Sequence, residues 1–418
     1  MEDVLQRIIL ENQKLISGKN LLSRGYSIPE TDNISVLVGI RRCGKTYTLY
    51  EIAKKFDPEK ILFFDFEDER LLPLNSLSSY DIIIDSYKTL FPDKKPILFF
   101  DEIQNLKNWH LYLKRLHAKE YKIYVTGSNA HLISREIATY LKGRSLETTI
   151  YPFSFSEFLR MKDVRVEKKD TIINRPSIIH QFEEYMQYGG FPEVIKAGMD
   201  EKRATAKNIY NLLFYKDLVS RFDKDDYLLK LVVNKVVENI TNEFSVASLA
   251  KRIRSLYKTT IPTVTDYFNI LPEPFLSSNI YPYRNSFIRR ELKRKTYLAD
   301  NSFIFLNRIT FDKSRLFENL VFNYLQRNHP DIYYYKTKSG KEVDFFVSQP
   351  NGSELIQASY SINDMTTRER EIKSLAAAME ELKVETGTIY TNNSSEEVQI
   401  GSRKIQIIPF WEKMLEGK

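Results

Sequence analysis

The run Gly39-Ile40-Arg41-Arg42-Cys43-Gly44-Lys45-Thr46 limits what this chain can fold into more than any other feature. It fills every fixed position of G-x-x-x-x-G-K-[ST]. It also follows the β-branched run from Ile34 to Val38 and precedes a helical stretch at Thr48 to Phe56. The pattern has a mechanical reason. Gly39 and Gly44 let the backbone wrap tightly, so that its amides turn inward onto a β-phosphate. Lys45 then sets an ammonium near the β- and γ-phosphates, and Thr46 offers a hydroxyl to Mg²⁺. A purely structural glycine-rich turn is the competing reading, and the strand before and helix after argue against it.

A second half complements the loop. Ile97 to Phe100 is an apolar strand ending in Asp101-Glu102. Asp101 would hold Mg²⁺ beside Thr46, and Glu102, where the strand runs out, would polarise the attacking water. A further strand, Ile123 to Val125, ends in Thr126-Gly127-Ser128-Asn129. Polar groups at the C-terminal edge of a parallel sheet face the ligand crevice, so Asn129 or Ser128 is placed to position water or sense the γ-phosphate. The alternative is an Asx or Ser turn capping a helix over 131–141. Arg144 closes the run Leu141-Lys142-Gly143-Arg144. It suits either an arginine finger reaching a neighbour's γ-phosphate or an ion pair within its own domain, and Arg135 is a weaker finger candidate. Cys43, near a helix N-terminus, sits where a thiolate is favoured, although a tolerated small residue is the plainer reading.

Composition excludes several classes. One cysteine forbids an internal disulfide framework and fits a reducing compartment, and five histidines with no pair at ligand spacing spell no zinc site. No stretch approaches the roughly 20 apolar residues of a spanning helix. The amphipathic start MEDVLQRIILENQKL is no signal peptide, so a cytoplasmic protein without membrane insertion is expected. Net charge is +7, which permits a nucleic-acid partner without requiring one.

Apolar strands alternate with helical segments as far as residue 152, as βαβ units around a parallel sheet do. A fifth strand is expected at Thr148 to Ile150. Helical stretches follow at 176–188 and 203–219, then three short helices over 228–270, with Ser245 a cap and Pro262 in a first turn. A strand-rich part begins near Tyr297. The expected division is 1–155, a P-loop core with an N-terminal helix; 156–225, a helical extension; 226–295, winged-helix-like; and 296–418, nuclease-like. No internal repeat is visible.

These residues resemble the archaeal and bacterial AAA+-related P-loop ATPases that carry a C-terminal DUF4143 region. The carriers are Gly39 to Thr46, Asp65-Phe66-Glu67-Asp68, Phe99 to Glu102 with Gln104, Thr126 to Asn129, Leu141 to Arg144 and Pro152 to Phe158. Gly189-Gly190-Phe191-Pro192-Glu193, Tyr215-Lys216-Asp217-Leu218 and Lys341-Glu342-Val343-Asp344-Phe345 continue them, so that the likeness covers about 30–410. Cys43 and Lys142 stand where the group often has other small residues. The resemblance implies an AAA-like parallel sheet, a winged-helix-like middle and a C-terminal α/β restriction-endonuclease-like domain. The paired glycines before Phe191-Pro192 read as a helix-to-helix junction rather than a ligand site.

The reading helix of the middle region, Thr263 to Ile270, has no lysine or arginine and suits base readout poorly. Lys251, Arg252, Arg254 and Lys258 precede it. Arg289, Arg290, Lys293, Arg294 and Lys295 form a cluster suited to a phosphate-contacting wing or to a plain solvated face. DNA through a non-specific basic patch is thus one partner the sequence allows, beside a protein partner or a second copy of the chain. In the last region Glu318 and Asp344 occupy nuclease positions. The triplet after them reads Gln357-Ala358-Ser359, without the acid and lysine that an active metal site needs. Nuclease chemistry is therefore not expected, with Glu354, Lys336, Lys338 and Lys341 as substitutes if the strands are aligned differently.

Two function classes stand. One is Mg²⁺-dependent ATP hydrolysis coupled to a nucleic-acid or protein partner. The other is a nucleotide-gated binding or regulatory module with negligible hydrolysis. ATP is favoured over GTP by the class pattern and by the lack of an Asn-Lys-x-Asp run.

Overall fold

Five short apolar runs in the first 151 residues become one parallel sheet. They are β1 (Ile34–Val38), β2 (Ile61–Asp65), β3 (Ile97–Asp101), β4 (Ile123–Gly127) and β5 (Ser145–Thr149), in the order β2-β3-β4-β1-β5. This is a computed structural model; it describes every residue except 30, 75–76, 129–140, 142, 165–173, 285–291, 308–311, 350–351 and 417–418. The chain divides into two compact units. The first is Met1–Tyr151 with Glu273–Phe275, and the second is Pro152–Pro272 with Leu276–Lys418.

In the first unit β1 is buried at every residue, because helices cover both faces of a parallel sheet. The helices are α1 (Glu2–Gly18), α2 (Lys45–Ala53), α3 (Asp81–Leu90) and α4 (Trp109–Ala118). α1 solves the edge-strand problem. The Asn12 amide donates to the Phe63 carbonyl and the Gln13 amide to that of Ile61, each at 2.9 Å, capping β2 where no further strand follows. β5 begins three residues before the expected strand and runs beside β1, Ile34 opposite Ser145 and Val38 opposite Thr149. All strand C-termini thus reach one edge, where the phosphate loop leaves β1.

The second unit opens with helices α5 (Phe155–Met161), α6 (Arg175–Tyr188), α7 (Pro192–Lys196) and α8 (Lys202–Leu212), the last running into a π-helical stretch at Leu213–Val219. Gly189 and Gly190 join α6 to α7. A Cβ on Gly190 would lie 2.2 Å from the Phe153 carbonyl oxygen, and its amide donates to Asp300 at 2.7 Å, so only glycine fits this junction. Three helices follow: α9 (Asp226–Glu238), α10 (Val246–Arg254) and α11 (Ile261–Asn269). Ser245 caps α10, and Pro262 lies in the first turn of α11, behind the Thr260 cap. The antiparallel pair β6 (Ser277–Pro282) and β7 (Lys295–Leu298) comes next. It does not close off a separate module. β6 pairs with β8 (Ile332–Lys336) and so extends an eight-stranded mixed sheet, β12-β13-β11-β10-β9-β8-β6-β7. Its other strands are β9 (Glu342–Val347), β10 (Glu354–Ala358), β11 (Thr386–Thr391), β12 (Glu396–Ile400) and β13 (Arg403–Pro409). Helices α12 (Asn301–Asn307), α13 (Lys313–Leu325), α14 (Met365–Leu382) and α15 (Phe410–Leu415) complete the unit. Among the described residues no helix is long and apolar enough to cross a membrane.

Candidate functional site

The loop after β1 bends through positive φ at Gly39 (154°), Arg42 (68°) and Gly44 (104°), the backbone pattern that forms an anion-binding nest. A Cβ on Gly39 would stand 2.1 Å from the Ile150 carbonyl oxygen, which explains the first glycine sterically. Ile40 and Cys43 pack inward, whereas Arg41 turns to the acidic turn after β2 and pairs with Glu67 at 3.0 Å. The Cys43 thiol donates to the Ile150 carbonyl at 3.1 Å. Burial pushes that thiol up, against the pull of Lys45 and Arg24. Desolvation thus outweighs the helix dipole, which suits the plainer reading of Cys43 as a small residue tolerated in the loop.

Lys45 opens α2. Its ammonium donates to the carbonyls of Gly39 at 3.1 Å and Ile40 at 3.4 Å, and lies 3.5 Å from a Glu102 carboxylate oxygen. Burial works against its charge, but Glu102, Cys43 and Asp101 prevail and hold its pKa above the usual lysine value. Thr46 Oγ1 donates to Asp101 Oδ2 at 2.6 Å. Asp101 also accepts from the Thr126 hydroxyl, which in turn accepts from the Glu102 amide at 2.9 Å. Burial and the neighbouring Glu102 push Asp101 up to about 7, against its two threonine donors. Glu102 goes the other way. Burial would raise it, yet Lys45, Arg41 and the Gln104 amide hold its carboxyl below the ordinary value. Two adjacent carboxyls are thus shifted in opposite directions by their different partners.

Glu102 adopts φ 48° and ψ 46°, a left-handed conformation rare outside glycine and asparagine that costs on the order of 1 kcal/mol or more. It turns the chain so that Gln104 folds back over Glu102, with the Gln104 amide bonded to the Glu102 carboxylate and, at 3.3 Å, to Ser128 Oγ. The site therefore brings together the loop Gly39 to Thr46, Asp101, Glu102 and Ser128. Asn129, Arg135 and the 131–140 part of the expected helix lie outside the described residues. Arg144 precedes β5 at the opposite edge of the sheet, where its carbonyl accepts from the amide of Ile34. The five residues of β1 separate its backbone from the start of the loop by about 16 Å.

Three contributors escaped sequence reasoning. Arg24 is buried and donates to the carbonyls of Cys43 and Tyr151, both at 2.8 Å, bracing the loop from outside. No motif announces it. Thr126 and Gln104 stood inside quoted motifs; a polar residue two positions past the acidic pair was the available signal.

The second unit holds another buried lysine. The Lys295 ammonium, on β7, touches Glu318 of α13 at 3.1 Å, Glu342 at 2.8 Å and Asp344 at 3.1 Å. Tyr297 donates to Glu318 at 2.9 Å. Gln357 does neighbour Asp344, to whose amide it offers its oxygen at 3.3 Å. The substitutes considered from sequence fall elsewhere. Glu354 is exposed opposite Val347, Lys336 pairs with Glu243 and Glu342, and Lys341 reaches the carbonyl of Lys373. The wing of basic residues is likewise corrected. Lys295 is buried, Lys293 pairs with Glu243 at 2.6 Å, and Arg294 lies over the rings of Phe268 and Tyr281. Arg289 and Arg290 lie outside the described residues. Among the described residues no group of three or more His, Cys, Asp or Glu side chains is set to hold a metal ion.

Comparison with known proteins finds three matched stretches. An AAA domain model matches residues 31–159, a domain of unknown function (DUF8612) 179–309, and DUF4143 313–412. An uncharacterized protein of Methanocaldococcus jannaschii, MJ1544, is 31% identical over 98% of this chain and 94% of its own. One from Haemophilus influenzae is 28% identical over 85% and 89%. Among solved structures, the Walker-type ATPase of Pyrococcus abyssi is similar at 15% identity and a TM-score of 0.44, over 74% of this chain and 96% of that one. With a complete phosphate loop at the edge of an AAA-type sheet, and a relative alike from end to end, the chain belongs to the family of AAA-type P-loop NTPases that carry a C-terminal DUF4143 region.

Proposed function

We propose that the protein binds ATP with Mg²⁺ at the loop Gly39 to Thr46 and hydrolyses it. The observation that carries the reading is the 2.6 Å bond between Thr46 and Asp101 beside the Lys45–Glu102 pair: hydroxyl, carboxylate, ammonium and base meet at one strand edge. Thr46 and Asp101 are oxygen donors of the kind a hard cation takes, and a phosphate-bound Mg²⁺ needs no three-carboxylate cluster. When bound, the ion would neutralise charge on the phosphate oxygens. Lys45 moves from Glu102 to the phosphates, which frees that carboxylate to take a proton from water.

Arg144, remote from its own loop, is proposed to serve a neighbouring copy's γ-phosphate, and Asn129 to position the water. Ser128 shares that role through its bond to Gln104. The C-terminal α/β region is read as a restriction-endonuclease-like domain without working metal chemistry, and α9 to α11 with the β6–β7 hairpin as winged-helix-like. Lys251, Arg252, Arg254 and Lys258 remain the basic surface available to DNA.

A nucleotide-gated module with negligible hydrolysis is the second reading, favoured by the Lys45–Glu102 contact, which nucleotide has to displace. Calorimetry and phosphate release with ATP and Mg²⁺ separate the two, with and without DNA. Equal ATP affinity in wild type and Lys45→Ala would sink both.

A further inference from the structure

Gln104 is not one of the loop or acidic-pair residues to which phosphate-loop chemistry is usually credited, yet it occupies the centre of the site. It stands on the short turn Ile103–Asn105 that the left-handed Glu102 creates. Its amide nitrogen is bonded to Glu102 and, at 3.3 Å, to Ser128 Oγ. A carboxylate only accepts, so the nitrogen must face Glu102, and this fixes where the amide oxygen points. That oxygen is buried and has no hydrogen-bond partner among the described residues. A buried acceptor left unpaired is costly, and such atoms are few in native proteins, a catalytic role or a bound water being among their explanations.

We propose that Gln104 is a positioning residue for the attacking water: its nitrogen ties Glu102 to Ser128, and its oxygen accepts a hydrogen bond from that water. The inference rests on the ATP-hydrolysis reading above. Water has two protons to place. When Lys45 turns to the phosphates, one Glu102 oxygen is released, while the other stays bonded to Gln104. The water then hydrogen-bonds to Gln104 through one proton and gives the other to Glu102. Its oxygen forms the new bond to the γ-phosphorus, and the bond from that phosphorus to the β–γ bridging oxygen breaks, with the electron pair leaving on ADP. Ser128 links this arrangement to the end of β4, so that a shift of β4 moves Gln104 and the water with it.

The test compares Gln104→Leu and Gln104→Glu with wild type in the full-length protein. Gln104→Leu keeps the bulk and loses both polar atoms. It is expected to bind ATP within about threefold of wild type and to melt at the same temperature. Its turnover should fall at least about tenfold, toward the 10²-fold scale of a misplaced base. Gln104→Glu keeps an acceptor but sets a like charge against Glu102. The acid limb of its pH–rate profile should move upward by about one pH unit. Undiminished turnover in Gln104→Leu, or parallel losses of turnover, affinity and melting temperature, would overturn the proposal. A wild type that releases no phosphate under any condition removes the hydrolysis reading and this one with it. An active wild type beside an unaffected Gln104→Leu removes only this one.

Discussion

Each unit buries a lysine among carboxylates at the end of a strand, and the two lysines are held differently. Lys45 meets one carboxylate at 3.5 Å and otherwise two carbonyls of a loop whose glycines leave room for an anion. Lys295 meets three carboxylates at 2.8–3.1 Å and donates hydrogen bonds to two of them, Glu318 and Asp344. The first ammonium has a long, single ion pair that phosphate can replace. The second is locked, bonded to both Glu318 and Asp344. A buried lysine signals chemistry only where its partners are few enough to be exchanged.

The largest expected effect tests that contrast directly. Lys295→Met leaves Glu318 and Asp344 without their cation while Glu342 keeps Lys336, and breaking a buried pair in this way costs about 3–5 kcal/mol. Lys45→Met should cost no more than about 1 kcal/mol, because Glu102 keeps the Gln104 amide and Arg41 nearby. Each unit carries its own buried tryptophan, Trp109 in the first and Trp411 in the second. Urea unfolding followed in Trp109→Phe and Trp411→Phe backgrounds therefore assigns each loss to its unit. Equal losses for the two lysines would break the comparison.

The sequence made the first site legible and the second nearly opaque, for a physical reason. A phosphate loop is built from neighbours in the chain, so Gly39 to Thr46 and the strand before it can be read as one run. Asp101-Glu102 is legible because an apolar strand that ends in acid is itself a pattern. Lys295 lies 23 residues from Glu318 and 49 from Asp344, on a strand that joins their sheet only through β6 and β8. Nothing local tells its side chain from those of Lys293 and Arg294, and all three read as one basic cluster until folding gives each its own partner. At Cys43 the motif shows only where the residue stands in the chain, while burial decides its thiol.

The next effect in size is kinetic. Glu102→Gln removes the charge that holds Lys45 and the group that takes the proton. Turnover should fall about 10²-fold while ATP binds more tightly than in wild type, since the ammonium no longer has a carboxylate to leave. Phosphate release and calorimetry on the same preparation read both. Weaker binding in this variant would mean that Lys45 is no freer than Lys295.

A smaller effect follows from proton linkage in the locked site. Burial and Asp344 push the Glu318 carboxyl up to about 8 from its ordinary 4.5, against Lys295 and Tyr297. Between those values the folded state holds the proton that the unfolded chain releases, so this residue's contribution to stability declines as pH rises from 4.5 to about 8. Glu243 acts in a separate window. Although burial opposes it, Lys293, Lys336 and Tyr334 hold it down at about 2, and its contribution is lost only as pH falls from 4.5 toward that value. Glu318→Gln should flatten the decline above pH 4.5 and leave the acid side alone. A Trp411-reported stability curve of unchanged slope in that variant would show that Glu318 is ionised in the fold.

The last expectation is a null effect, and it follows from the locked ammonium. Metal-assisted cleavage of a phosphodiester needs carboxylates free to hold the ion and a cation free to face the developing charge. Glu318 and Asp344 are both bonded to Lys295, and the other Asp344 oxygen accepts from the amide of Ala358 at 3.0 Å. Gln357 turns its own amide to Glu371 at 2.6 Å, so it supplies no second charge. Plasmid and single-stranded DNA incubated with the protein at millimolar Mg²⁺ or Mn²⁺ should stay intact. Cleavage that vanishes in Asp344→Ala and persists in Lys45→Ala would place the activity in the second unit. It would show that Lys295 gives way to an incoming ion as Lys45 is held to give way to phosphate, and the distinction between an exchangeable and a locked ammonium would fall.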